Sequence, residues 1–201
     1  MQCPRCNVRR HGYCSPNTRR KTWLPSSQSP ATSEDRGTSR TQKPAPTESL
    51  LEMFGVGWQQ NGLSHWAVRL GNDQALPGLA PRKLVGRGGV HLLEANEGSP
   101  LWKLGYRIAP ECWGHGFDTE LACHGIEGAH ACRDKTPVVD RMLPLSPASL
   151  TVAQRAGLRL RWEGRPSPST VEAVGEASVK RLILAGRELG PEVLHWPAYR
   201  G

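Results

Sequence analysis

From Glu48 onward the chain carries two hydrophobic periodicities in turn, and together they predict a mixed succession of helices and strands. Leu50, Leu51, Phe54 and Trp58 recur at helical spacing, which predicts a short amphipathic helix ending near Gly62. Three strand-like runs follow: His65–Leu70, Leu84–Glu94 and Leu101–Ala109. The second contains Gly86, Gly88 and Gly89, which predict a bend or bulge. A helix is expected from Phe117 to Arg133, with Leu121, Gly125, Ala129 and Cys132 along one face, and then a strand over Val138–Leu143. Pro147 suits a first helical position and Gly157 a C-terminal cap, so a second helix is expected between them. Leu158–Glu163 and Ser178–Ala185 complete the strands, while the last fifteen residues show no clear pattern. Three consecutive strands followed by alternating helix and strand imply an α+β (α/β-like, three-layer) fold with a mixed sheet flanked by helices.

Residues 1–47 differ in kind. The stretch from Ser15 to Thr47 is rich in Ser, Thr, Pro and Arg and almost free of aliphatic residues, which predicts a disordered tail. The chain then divides into that tail, a folded domain over 48–186 and a C-terminal tail over 187–201. The net charge of +8 is concentrated at the front. Residues 1–50 hold nine Lys/Arg against three Asp/Glu, whereas 51–201 hold seventeen against fifteen. The folded part is therefore nearly neutral, and a nucleic-acid partner is not expected of it. No apolar stretch is long enough to span a membrane and no apolar signal core follows the basic N-terminus, so a cytoplasmic protein is expected. Cys112, Cys123 and Cys132 read as small apolar residues. Cys3, Cys6, His11 and Cys14 could supply four zinc ligands, but their spacing fits no common finger and little apolar sequence surrounds them, so no metal is expected.

The segment with chemical content is Tyr106–Glu120, YRIAPECWGHGFDTE. A strand ends at a proline, a turn with Gly114 and Gly116 follows, and a helix starts at once. That order aims backbone N–H groups and a helix N-terminus at one point, which suits a phosphate-bearing ligand, although an ordinary βα turn has the same form. Gly116-Phe117-Asp118 lacks the Lys-Ser/Thr of a P-loop. Thr119 stands where the dinucleotide fingerprint needs its third glycine.

The run LGYRIAPECWGHGFDTE resembles the acyl-CoA signature of the GNAT acetyltransferases, in the branch containing ribosomal-protein alanine N-acetyltransferases, which reads approximately GYwlaPeyWGkGyatEA. A second block, SPASLTVAQRAGLRLRWEG over Ser146–Gly164, is similar to the family's NPaSrrVlekaGFrlegeg at the expected distance. The resemblance implies a splayed mixed sheet, with acetyl-CoA in the opening between the strands at Trp102–Ala109 and Val138–Leu143. It implies that backbone groups of Trp113, Gly114, His115, Gly116, Phe117, Asp118 and Thr119 surround the pyrophosphate. Ile108 and Ala109 would pair with the pantetheine arm, and Ser146 takes the place of an Asn that helps fix that arm. The implied reaction is acetyl transfer to a primary amine, on a protein N-terminus or a small molecule, with Ser149 as a candidate acid near the sulfur. Ser149 reads equally well as a serine satisfying a free amide of the first helical turn.

Measured against that pattern, three departures stand out. Asp118 replaces a small residue beside the expected phosphates, Ser146 is shorter than Asn, and the tail shows no sign of the family's first strand and first helix. These leave two rival expectations: a degenerate domain serving as an interaction module, and a functional tail that binds zinc or nucleic acid.

Overall fold

The computed structural model describes residues 21–25, 47–71, 76–94, 99–144, 146–165 and 180–199. Seven strands form one mixed sheet in the order β1-β2-β3-β4-β5-β7-β6. They are β1 (Lys21–Pro25), β2 (His65–Leu70), β3 (Leu84–Glu94), β4 (Pro100–Ile108), β5 (Val138–Met142), β6 (Arg159–Gly164) and β7 (Arg181–Ala185). The helices are α1 (Thr47–Asn61), α2 (Phe117–Cys132), α3 (Pro147–Arg155) and α4 (Pro191–Tyr199). All pairings are antiparallel except β4 with β5, which is parallel and spans α2 as its crossover.

The periodic segments form the elements their patterns predict, with ends shifted by a residue or two except at the last strand, which starts at Arg181 and not Ser178. Two expectations are corrected. Lys21–Pro25, inside the segment read as disordered and as lacking a first strand, is β1 and pairs along β2 from Lys21↔Leu70 to Pro25↔Trp66. An added strand draws its backbone partners from an existing edge, so it needs no amphipathic pattern of its own. The C-terminal segment, left without assignment, contains α4, whose Val193 and Leu194 pack with Leu189 on Leu101, Val139, Ile183 and Ala185. The four possible zinc ligands of the tail lie outside the described residues.

Side chains alternate across the sheet and build two apolar layers. One face carries the larger core, where Trp66, Val90, Trp102, Leu104 and Ile108 meet Leu121, Ala122, Ile126 and Ala129 of α2 and Val152 and Ala153 of α3. The other face carries the smaller cluster under α4, and α1 covers its far end by stacking Phe54 on His65 at 4.1 Å.

The glycines of β3 and α2 let helix and sheet approach closely. A Cβ on Gly88 would lie 2.5 Å from Tyr106 Cβ and 2.6 Å from Leu121 Cδ2, and one on Gly125 would lie 3.3 Å from Val90. The bulge sits between the pairs Val68↔Gly86 and Arg69↔Leu84, so Val85 is the extra residue on β3, next to the first of the three glycines. Because the Gly88 contact includes the backbone of β4, Gly88→Ala forces strand and helix apart. It is expected to destabilise the fold by about 2–4 kcal/mol, read as a lower urea midpoint at unchanged slope. A midpoint equal to that of the parent would contradict this packing.

Candidate active site

The parallel ladder between β4 and β5 contains two register pairs, Trp102↔Val138 and Lys103↔Val139. β4 continues through Ile108, held on its other side by β3 up to Gly86↔Ile108. Among the described residues, the β5-facing edge of β4 is therefore without a strand partner from Leu104 onward, and the sheet opens there. Backbone direction alternates along a strand. The Ala109 N–H donates to Val85 O (2.8 Å) on the β3 side, so the Ile108 carbonyl faces the opening.

At the end of β4 a single turn of 3-10 helix, Pro110–Cys112, leads into the Trp113–Gly116 turn and α2. Gly114 and Gly116 take φ of +76° and +77°, left-handed values that cost an L side chain roughly 1–2 kcal/mol, and a Cβ on either would meet nothing within 4 Å. The turn is thus glycine-rich for its backbone shape, and it borders open space. Gly116 is the N-cap of α2 and offers no side chain to the first-turn amides; the first helical bond is Glu120 N–H to Gly116 O (3.0 Å). The amides of Asp118 and Thr119 have no carbonyl acceptor within the helix. Together with the positive end of the helix dipole they form a cradle for an anion.

The expected site residues divide accordingly. Gly114, His115, Gly116, Asp118 and Thr119 come together at the cradle, with His115 exposed and Asp118 and Thr119 partly exposed. The Phe117 side chain is buried in the larger core, so only its backbone borders the turn. Trp113 is 58% exposed, and its indole Nε1–H donates to Ile108 O (2.9 Å), the carbonyl that faces the opening. Ala109 departs from expectation: its N–H belongs to the β3 ladder and its carbonyl accepts the Cys112 N–H (2.9 Å). Ser146 and Ser149 share a hydroxyl hydrogen bond of 2.7 Å at the start of α3, and the Ser146 side chain does not cap the helix.

Sequence reading missed Tyr106 and Asp140. The Tyr106 hydroxyl donates to Ser149 O (3.3 Å), which ties β4 to α3 across the mouth of the opening. Burial, the Asp140 charge and, less strongly, Asp118 raise the pKa of Tyr106, so the phenol keeps its proton. Asp140 on β5 is buried, and its Oδ2 has no hydrogen-bond partner among the described residues. Burial raises its pKa to about 7, against the opposing effects of the Arg141 N–H and the Lys103 charge.

A second cluster was also missed, on the opposite face at the root of the opening. His91 Nδ1 and His65 Nε2 lie 3.3 Å apart, and His91 is the direct cross-strand partner of Lys103. Burial and the cations Lys103 and Arg87 lower the His91 pKa to about 4, so both imidazoles are neutral at pH 7, His65 being lowered by burial first and then by His91. Lys103 is lowered to about 8 by burial and by Arg141, partly offset by Asp140. Only the register reveals this cluster, because each residue stands alone in its own strand.

For Asp140 the sign of the linkage is fixed. Its folded pKa of about 7 lies above the unfolded value of 3.8, so its contribution is fully present below 3.8 and is lost as pH rises to 7. Asp140→Asn is therefore expected to be more favourable, relative to the parent, at pH 8 than at pH 4, by on the order of a few kcal/mol in urea unfolding. An equal difference at both pH values would show that the carboxyl is not held in its acid form.

The chain matches the family model of the acetyltransferase (GNAT) domain over residues 13–159, a span that includes β1. Among solved structures it is similar to a Bordetella pertussis protein described as of the GnaT acetyltransferase family, at 12% identity and a TM-score of 0.62, over 87% of this chain and 98% of that one. It is also similar to the ribosomal-protein-S5-alanine acetyltransferase of Vibrio fischeri, at 13% identity and a TM-score of 0.54, over 72% and 75% of the two chains. A chimera of the Vibrio cholerae spermidine N-acetyltransferase matches at 16% identity and a TM-score of 0.51, over 76% and 85%. Curated protein sequences contain no match to the chain. At such identities the solved structures speak for the fold alone, and no helix of the described residues is long and apolar enough to cross a membrane. With a family model that covers most of its length and a sheet that opens beside an uncapped helix start, the chain belongs to the GNAT acetyltransferase family.

Proposed function

We propose that the chain transfers the acetyl group of acetyl-CoA to a primary amine, on a small molecule or a protein N-terminus, within the opening between β4 and β5. The observation that carries this reading is the two-pair parallel ladder, beyond which β4 runs on to Ile108 and ends at the glycine turn before α2. The chain fits the co-substrate in three respects. The space over Gly114 and Gly116 is open, the start of α2 has no side-chain cap, and the Ile108 carbonyl faces the opening.

When bound, acetyl-CoA supplies a thioester carbonyl that a primary amine can attack. The amides of Asp118 and Thr119 would hold the pyrophosphate, and the Ile108 carbonyl would accept a hydrogen bond from the pantetheine arm once the Trp113 indole gives it up. The Tyr106 hydroxyl and the Ser146–Ser149 hydroxyl pair keep protons on the α3 side, where a departing thiolate would need one. Asp118 opposes the arrangement. At an effective dielectric of about 20 and roughly 5 Å, its carboxylate and one phosphate charge repel by ~3 kcal/mol before screening.

Calorimetric titration of the full chain with acetyl-CoA tests the reading. Binding is expected for the parent, and Asp118→Ala is expected to bind about ten- to a hundredfold more tightly, while the unfolding free energies of the two proteins agree within about 0.5 kcal/mol. Failure of both folded proteins to bind acetyl-CoA would end the proposal.

A further inference from the structure

Lys103 stands where the sheet stops being continuous. It is the last β4 residue in the parallel ladder, opposite Val139 on β5 and His91 on β3. The open edge begins at the next residue, about 3.3 Å along the strand. Leu101, two residues earlier, packs in the smaller cluster, whereas Trp102 and Leu104 belong to the larger core. The Lys103 side chain therefore lies on the face away from α2 and α3. A ligand anchored at the start of α2 and paired along β4 from Ile108 brings its far end to this root. The four-carbon stem of a lysine lets an amine placed here swing towards that end.

Lys103 is partly buried, and among the described residues its amine makes no hydrogen bond or ion pair. An ammonium in that position loses hydration with no hydrogen bond in return, whereas a neutral amine loses far less. The charged groups that act on it are Arg141, Asp140 and Arg181, and His91 is the imidazole beside it on β3. Burial first and Arg141 next bring the Lys103 pKa down to about 8, against the opposing effect of Asp140. At pH 8 about half of this amine is unprotonated, against on the order of one part in three hundred for an ordinary lysine. The place also favours the neutral product: an amide replaces a partly desolvated ammonium and carries no charge to be hydrated.

We propose that Lys103 is a self-acetylation site, whose amine takes the acetyl group of acetyl-CoA held in the β4–β5 opening and keeps it as a stable amide. The proposal rests on the acetyl-transfer reading for the presence of the thioester. The Lys103 Nζ lone pair attacks the thioester carbonyl carbon, the new N–C bond forms, and the C–S bond breaks with its electron pair on sulfur. One proton leaves the nitrogen and one is taken up by the sulfur, so the products are acetyl-lysine and CoA thiol with no other reactant. An amide does not pass its acetyl group on to a second amine, so the modification ends there. It removes the charge of Lys103 at the root of the opening.

The test incubates the full chain with acetyl-CoA from about pH 6 to about pH 10, with and without excess CoA, and locates the acetyl groups by peptide mass spectrometry. At about pH 8 Lys103 is expected to be acetylated at least about tenfold faster than the exposed Lys135 and Lys180, as its larger unprotonated fraction requires. Its rate is expected to climb to about pH 8 and level off, while theirs go on rising. Excess CoA is expected to slow Lys103 and leave Lys135 and Lys180 unchanged. Acetic anhydride needs no CoA site and reads the amine alone; with it Lys103 is expected to titrate at about pH 8. Lys103→Arg is expected to lose the fast site while binding acetyl-CoA within about threefold of the parent by calorimetry. Acetyl-CoA binding without preferential acetylation of Lys103, or acetylation there that CoA does not slow, would overturn the proposal and leave the transferase reading standing. Absence of acetyl-CoA binding would end both.

Discussion

The arrangement depends on how briefly β4 and β5 touch. Two parallel pairs, anchored by buried Trp102 and Val138 and by the Trp102 N–H bond to Pro137 O (2.9 Å), hold the two halves of the sheet together. Past Lys103 the strands part, and β4 keeps its course because β3 holds it through nine register pairs. A longer ladder would close the sheet and leave no exposed backbone edge. A shorter one would separate the antiparallel β1–β4 unit from the β5-β7-β6 unit. An edge that is rigid on one side and unpaired on the other is what a ligand with amide groups can join as an added strand.

The two faces of the sheet bring different chemistry to that edge. On the α2–α3 face stand hydroxyls and uncapped amides: Tyr106 against Ser149, Ser146 against Ser149, and the first turn of α2. On the other face stand Lys103, His91 and His65, with Arg141 and Arg181 beyond them. Alternation of side chains along β4 produces the division, since Tyr106 and Lys103 are three residues apart and so point to opposite sides. Asp140 couples the two, acting on both Tyr106 and Lys103 across the thickness of β5.

Several features that look like defects in a one-dimensional reading are conditions for packing. Gly125 and Gly128 weaken α2 as an isolated helix, yet Cβ atoms there would lie 3.3 Å from Val90 and 3.2 Å from Leu63. The helix sits close on β3 at Gly125 and close on the α1–β2 connection at Gly128 because those positions lack side chains. Its N-terminus is thereby fixed at the end of β4, where the glycine turn delivers it.

Much of the fold was legible in the sequence. The period of apolar residues located β2 to β7 and α1 to α3, because burial of one face imposes a pattern that neighbours in sequence must share. The turn at Gly114 and Gly116 was legible for the same local reason, since backbone shape there depends on residues in direct succession. β1 and α4 were not legible. The first takes its partners from the edge of β2, and the second takes its cover from a cluster assembled from β4, β5 and β7. The site divides along the same line. The sequence by itself determined the strand–turn–helix that can cradle an anion. Only the tertiary structure decided that Ala109 spends its amide on β3, that Tyr106 reaches Ser149, and that His65, His91 and Lys103 form one cluster. Those outcomes depend on strand register, and register is set by long-range packing that no single segment contains.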